Sequence, residues 1–412
     1  MKRLLFYCQH ILGIGHLMRS MEIVKGLTAD FQVCFINGGE AIADFPIPPG
    51  VEVVQLPPLK TDDEFSELHL PPGFNSLPAV FSARCQQMTT VVEQFQPDIF
   101  MVELFPFGRR RFSAELIPVI EAARDRGAHI VSSLRDIVVT KQDQARHEAK
   151  ICKLINQYFD LLLIHGDPEF MPLERSFSRV ADLRCAVHYT GYVVQAAPPQ
   201  PLATEGDRRA QPRGSSPTIL VSVGGGRFGH QLLHCVAQAS PYLQAQIPHH
   251  IHLFAGPFSP DSVYEPLREL AQAYSNLTVQ RYTPDLVSYM QQADLSINMG
   301  GYNTTLNVLK TGTRSMLLPF TGNGDQEQII RAERLEALGV VSIIQPADLQ
   351  PQRLAQRIVA HLQTQPTPLQ FDLNGVAQTA QILRDWVAAS PVAERRARAS
   401  LATATSVCTS FP

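Results

Sequence analysis

Residues 294–332 carry the densest set of groups that could do chemistry. Leu295-Ser296-Ile297-Asn298 is a short apolar run of strand type, and it stops at Gly300 and Gly301. Thr304 and Thr305 then open an amphipathic run through Asn307 to Lys310, which Gly312 closes. A glycine turn feeding a helix N-terminus presents unpaired backbone N–H groups and the positive end of the helix dipole, which suits a phosphate. Asn303 stands in the same turn. The next apolar run, Leu317-Leu318-Pro319, precedes Asp325-Gln326-Glu327-Gln328, whose polar side chains suit sugar hydroxyls. Donors for a diphosphate beside polar groups for a sugar are what a sugar nucleotide requires.

A second glycine turn, Gly224-Gly225-Gly226, ends the strand-like run 218–223. Its glycines allow backbone contact with a diphosphate, and Arg227 either adds a charge-assisted contact or points to solvent. No Gly-Lys-Ser/Thr follows, so the turn is not a P-loop. Near the start of the chain, Gly13 and Gly15 permit a tight turn, with His16 at or just inside the next helix. A histidine there can accept a proton from a hydroxyl near neutral pH, or it can merely cap or pack. Glu103 ends the run 97–103 and could orient His16. Asp136 ends the following strand beside Arg135 and is a rival for that role. An ion pair of Arg135 with Glu103 is the plainer alternative. Arg109-Arg110-Arg111 could touch an anionic acceptor or lipid headgroups, but it reads better as a solvated basic face. His249, His250 and His252 lack acidic partners at metal-ligand spacing, and no metal site is expected.

These groups need a scaffold that gathers strand ends. Residues 4–8, 31–36, 51–56, 99–102, 129–133 and 161–164 read as buried strands, alternating with helices over 15–27, 77–95, 114–126 and 142–159. The alternation resumes after a Pro-, Gly-, Arg- and Ser-rich stretch, with strands at 218–223, 250–254, 277–281, 295–298, 314–319 and 340–344. Helices fall at 229–240, 264–274 and 286–291, from 304, and over 326–338. Such alternation predicts α/β domains built on doubly wound parallel sheets, whose ligands sit beyond the strand C-termini. The expected division is 1–197, a linker over 198–217, a second domain over 218–374, a helix over 375–390 and a disordered tail over 391–412.

With 412 residues, 45% hydrophobic and 18% charged, the chain fits a soluble protein of two domains. A net charge of −3 gives no sign of a nucleic-acid binder. The seven cysteines are scattered, with no Cys-x-x-Cys pair, which suits reduced thiols in a cytoplasm. The N-terminal apolar run is too short for a signal peptide, and no stretch approaches a membrane span. Peripheral membrane contact stays open.

The motifs together resemble the MurG-related group of GT-B glycosyltransferases. Gly13 to Arg19, Val102 to Arg109, Ser133 to Asp136, Tyr189 to Tyr192, Val221 to Gly226 and Gly300 to Thr304 carry the likeness, which spans about residues 1–390. The resemblance implies two Rossmann-like domains facing across a cleft. It implies a nucleotide-sugar donor, usually UDP-linked, in the second domain and an acceptor in the first. The Phe, Leu and Pro content of loops 57–78 and 105–112 allows a lipid-linked acceptor or a small aglycone, and equally a sugar. No cofactor or metal is implied, because helix dipoles and backbone amides neutralise the leaving diphosphate. By position, Gly225, Gly226, Gly301, Asn303 and Thr304 would approach the diphosphate, and Thr283 the base. Glu327 and Gln328 would hold the sugar, and His16 would be the general base. Two places depart from the pattern. Asn307 stands where many relatives carry a ribose-gripping Glu, and an uncharged amide bonds a diol about half as strongly. Arg331 stands where an Asn often follows the Asp-Gln element.

The expectation is an inverting, metal-independent glycosyltransferase with His16 as base. The alternatives are a nucleotide-sugar epimerase or hydrolase of the same architecture, and a binding protein that has kept the fold without catalysis.

Overall fold

Near-continuous apolar strands dictate the architecture, because such strands must be covered on both faces. The first domain runs β1 (Lys2–Cys8), α1 (Gly15–Leu27), β2 (Phe31–Asn37), β3 (Glu52–Gln55), the short pair β4 (Lys60–Thr61) and β5 (Leu68–His69), α2 (Leu77–Phe95), β6 (Ile99–Glu103), α3 (Ser113–Asp125), β7 (His129–Arg135), α4 (Gln144–Tyr158), β8 (Leu161–His165) and β9 (Ala186–Tyr189). The second runs β10 (Thr218–Ser222), α5 (His230–Gln244), β11 (His250–Phe254), α6 (Asp261–Ala273), β12 (Leu277–Gln280), α7 (Leu286–Gln292), β13 (Leu295–Met299), α8 (Tyr302–Thr311), β14 (Ser315–Leu318), α9 (Glu327–Ala337), β15 (Ser342–Ile343) and α10 (Pro351–Leu362). A last helix, α11 (Gly375–Ala388), follows. The structure, a computed structural model, describes residues 1–11, 14–42, 45–61, 68–139, 143–195, 216–322 and 326–389. Gly13, Asp325, residues 198–215 of the expected linker and the expected tail 391–412 lie outside these residues.

The strand order is β3-β2-β1-β6-β7-β8-β9 in the first sheet and β12-β11-β10-β13-β14-β15 in the second. Both sheets are parallel throughout. The order reverses between β1 and β6, and again between β10 and β13. A crevice must open at each reversal, since successive crossover helices leave to opposite faces. The loop before His16 and the end of β6 flank the first crevice. The two glycine turns flank the second, with Ser222 paired beside Asn298.

Apolar packing and ion pairs hold the domains together. Apolar Ile137, Phe170 and Tyr192 of the first domain share a core with Leu220, Phe254, Tyr302 and Leu306 of the second. Above that core, Arg331 grips Asp136 in a two-pronged ion pair, at 3.0 Å from Nε to Oδ2 and 2.7 Å from Nη2 to Oδ1. Arg135 reaches Glu327 at 2.9 Å. The helix α11 crosses back onto the first domain, where Ala380, Leu383 and Val387 pack with Leu17, Met21 and Val24.

The ion pair between Asp136 and Arg331 is fully buried, so removing one partner strands the other. Arg331→Met is expected to destabilise the protein by about 3 kcal/mol. In urea unfolding, Asp136→Asn combined with Arg331→Met should lose less than the two single losses added together. Strict additivity would show that the pair is not coupled.

Candidate active site

The two crevices face one another across a cavity of about 870 Å³ lined from both domains. On the first wall, α1 begins at Gly15 without a side-chain cap, so its first-turn amides are left to the cavity. His16 and Arg19 lie three residues apart, on one face of that helix. Both reach the same oxygen of Glu103: His16 Nδ1 lies 2.7 Å from Oε1, and Arg19 Nη2 donates to it. The Nδ1–H is therefore donated to Glu103, which leaves the Nε2 lone pair as the basic position.

Asp136, the rival orienter, does not reach His16. Its oxygens are taken by Arg331 and by the Tyr192 hydroxyl at 3.1 Å. The expected pair of Arg135 with Glu103 does not form either, because Arg135 pairs with Glu327. Arg19 occupies that place instead, and its spacing from His16 was the signal available in the sequence.

The His16 side chain keeps only 14% of its surface exposed. Burial lowers its pKa to about 4, the cations Arg135 and Arg109 push the same way, and Glu103 opposes them. The ring is thus a neutral imidazole at physiological pH, held below the near-neutral value expected for it. For Glu103 burial acts upward, but His16, Arg19 and Arg109 outweigh it and hold the carboxyl at about 2.

On the opposite wall, the β10–α5 turn is shaped by glycines. Gly226 has φ +85, and a Cβ there would stand 2.5 Å from the Ala255 carbonyl oxygen. Gly224, Gly225, Gly226, Arg227, Thr283, Gly301, Asn303, Thr304, Asn307, Glu327 and Gln328 all line the cavity. The helix α8 starts after Gly301 with no side-chain cap, so its leading amides are available to an anion. Gly300 and Thr305, expected at the ligand, lie behind this wall. The Gly300 N–H bonds the Leu318 carbonyl at 3.0 Å, and Thr305 Oγ1 bonds the Gly300 carbonyl at 3.3 Å. Neighbouring residues on a helix point about 100° apart. Thr304 therefore faces the cavity and Thr305 the core.

Three side chains here differ from simple ligand-holding groups. Asn303 Nδ2 donates to the Gly15 carbonyl of the other domain at 3.1 Å. Glu327 is buried between Arg331 and Arg135, both at 2.9 Å. Asn307 is 4% exposed, and its Oδ1 has no hydrogen-bond partner among the described residues. A buried acceptor left open beside a cavity fits a ligand hydroxyl. Arg109, Arg110 and Arg111, read above as a solvated face, line the cavity too. Among the described residues, no group of three or more His, Cys, Asp and Glu stands together at metal-binding range.

Residues 218–381 match the glycosyltransferase family 28 C-terminal domain. The UDP-N-acetylglucosamine--N-acetylmuramyl-(pentapeptide) pyrophosphoryl-undecaprenol N-acetylglucosamine transferase of Agrobacterium fabrum is 30% identical over 122 residues, 29% of this chain and 32% of that protein. Its namesake from Methylobacterium radiotolerans is 25% identical over 141 residues, 34% of this chain and 38% of that protein. The chain therefore matches about a third of the length of these relatives. Among solved structures, MurG of Acinetobacter baumannii superposes with TM-score 0.56 at 18% identity, covering 93% of this chain and all of that one. A UDP-glucosyltransferase of Polygonum tinctorium superposes with TM-score 0.62 at 13% identity, covering 95% and 99%. The chain has the GT-B glycosyltransferase fold, and its residues 218–381 are similar to the C-terminal domain of glycosyltransferase family 28. In this GT-B frame the matched segment supplies the glycine turns and the first domain supplies His16.

The charge around His16 predicts how it titrates. Without a ligand it should stay neutral down to about pH 4. A bound diphosphate offsets Arg135 and Arg109 and favours the protonated ring, so the pKa should rise. NMR titration of the imidazole, with and without UDP, reads both values. A ligand-free pKa at or above the ordinary 6.5 would contradict the burial argument.

Proposed function

We propose that the protein is an inverting, metal-independent glycosyltransferase that moves a sugar from a nucleotide-sugar donor, UDP-linked, to an acceptor hydroxyl. The observation that carries this reading is one cavity with a neutral, carboxylate-held imidazole on one wall and amide-lined glycine turns on the other. His16 Nε2 takes the proton of the acceptor hydroxyl. The oxygen attacks the anomeric carbon while the bond to the diphosphate oxygen breaks, and the electron pair leaves with UDP. Base and leaving group act from opposite walls, which favours attack opposite the departing bond and hence inversion.

The leaving charge falls to the amides of Gly224 to Gly226 and of the first turn of α8, with Arg227 beside them. Asn307 Oδ1 accepts from a ribose hydroxyl, and Thr283, which lines the same cavity, contacts the base. Glu327 is held rigid by two guanidinium groups, so Gln328 shares the reading of the sugar. Gln328 Oε1 already accepts from the Phe320 N–H at 2.9 Å, which leaves its NH₂ for that task. The relatives' names, which give UDP-N-acetylglucosamine, support a UDP-linked donor. Among the described residues, no helix is long and apolar enough to cross a membrane. A cytoplasmic protein with peripheral membrane contact is our proposed setting.

UDP should raise the melting temperature. A ligand at one hundred times its Kd stabilises by about 2.7 kcal/mol. His16→Ala should bind UDP as the parent does, yet lose roughly 10²–10⁴ in UDP release from a panel of UDP-sugars. Absence of UDP stabilisation would reject the donor site, and unchanged turnover would reject the base.

A further inference from the structure

Arg84 projects from α2 and is fully buried, yet the chemistry above makes no use of it. Its partner is Glu115 on α3, also fully buried, at 2.7 Å from Nε to Oε2 and 2.8 Å from Nη2 to Oε1. The rest of the guanidinium serves the ends of strands. Nη1 donates to the Gly38 carbonyl at 2.9 Å, just past β2, and to the Pro57 carbonyl at 2.7 Å, beyond β3. Nη2 donates to the Tyr7 hydroxyl at 3.2 Å and to Gln9 Oε1 at 2.5 Å, at the end of β1. Gln9 is buried too and extends the network. Its Nε2 donates to the His10 carbonyl at 3.0 Å and to the Leu59 carbonyl at 3.1 Å.

Such a network is a poor source of stability, because apolar side chains of similar volume often replace a buried ion pair without loss. What it supplies is direction. A planar guanidinium with all its N–H groups engaged fixes the relative places of its acceptors. Those acceptors are three strand ends and the first residue of the β1–α1 loop. Space there is tight: a Cβ on Gly38 would stand 2.2 Å from Gln9 Oε1. The loop is tied at two further points. The Ile11 carbonyl accepts from the Thr61 N–H at 3.2 Å, and the Gln9 carbonyl accepts from Arg109 Nε at 2.8 Å. Gln9 opens this loop, and its far end delivers Gly15 and His16 to the start of α1.

We propose that Arg84 is a positioning residue for His16: through Gln9 it fixes the loop that brings the imidazole to Glu103 and keeps its ring largely buried. Arg84 bonds neither His16 nor Glu103 and acts only through the loop. The value of that placement rests on the reading of His16 as the base, whereas the placement itself can be tested without it.

Gln9→Met cuts the network from the loop and keeps the pair of Arg84 with Glu115. Arg84→Lys keeps the charge but loses the fork. Neither substitution alters Glu103, Arg19, Arg109, Arg135 or Glu327, the charged groups around His16. The readout is the His16 imidazole in the folded protein, titrated by NMR and assigned with His16→Ala. A loosened loop lets water reach the ring and removes the burial that holds its pKa down. Gln9→Met should therefore raise the proton affinity of His16 at least tenfold, and Arg84→Lys at least threefold. Leu116→Ala, a core loss on α3 beside Glu115, should lower the melting temperature and leave the His16 titration within twofold. UDP affinity should stay within threefold in all three variants, because the second domain carries it. Either network variant suffices for the test if the other does not fold. A His16 titration unchanged in the network variants, or moved equally by Leu116→Ala, would overturn the positioning role. So would a parallel loss of UDP affinity, since the network would then act on the whole cavity. UDP that fails to bind the parent, beside a moved His16 titration in Gln9→Met, would sink the donor reading and leave the positioning role standing.

Discussion

Tyr302 sits where the two domains meet, and three guanidinium groups surround its ring. Arg19, Arg135 and Arg331 lie at 5.5, 5.9 and 5.2 Å from the centroid, and the hydroxyl donates to the His165 carbonyl at 2.8 Å. Three buried cations could not share this space alone. Glu103, Glu327 and Asp136 supply three carboxylates, each bonded to at least one of them. This balanced cluster draws on α1, β6 and β7 from one domain and on α8 and α9 from the other. Together with the apolar core shared by the domains, the cluster joins the two walls of the cavity.

The cluster also sets the electrostatics of the site. Each carboxylate of the cluster is matched by a guanidinium, and Arg109 and Arg110, which pair with no carboxylate among the described residues, add positive charge to the cavity. Burial is the main cause of the low pKa of His16, and Arg135 and Arg109 add to it. Binding a diphosphate would then do two things together. It would neutralise buried cations, and it would raise the basicity of the imidazole at the moment a base is needed. Several atoms here, among them Glu103 Oε2, Arg135 Nε, Asn307 Oδ1 and Arg331 Nη1, lack partners among the described residues. Such gaps are rare in a structural core and common where a ligand completes a network.

Much of this was legible in the residues. Strand and helix alternated with glycine turns at strand ends, so the parallel sheets and the crevices followed from periodicity alone. The bond between His16 and Glu103 was readable because both residues sit at positions that a doubly wound sheet brings together. Arg331 and Asp136 were not, since 195 residues separate them and no local pattern links them. Arg135 could be foreseen near Glu103, but which carboxylate it meets depends on how the second domain docks. Thr304 and Thr305 looked equivalent until helix phase put one in the cavity and the other in the core. Ala186–Tyr189 and Pro351–Leu362 were left unassigned, the first too short and half-buried to show a strand pattern. The arginine run after β6 was misread because charge runs usually face solvent, and only the fold shows a wall of the cavity there.

A crystal structure with UDP bound tests the central claim most directly. The account predicts phosphate oxygens within hydrogen-bond reach of backbone amides in both glycine turns. It also predicts the uracil near Thr283, a ribose hydroxyl on Asn307 Oδ1, and His16 opening into the same cavity with the Asp136–Arg331 pair intact. UDP seated away from these turns, or domains parted so that His16 no longer shares the cavity, would contradict it.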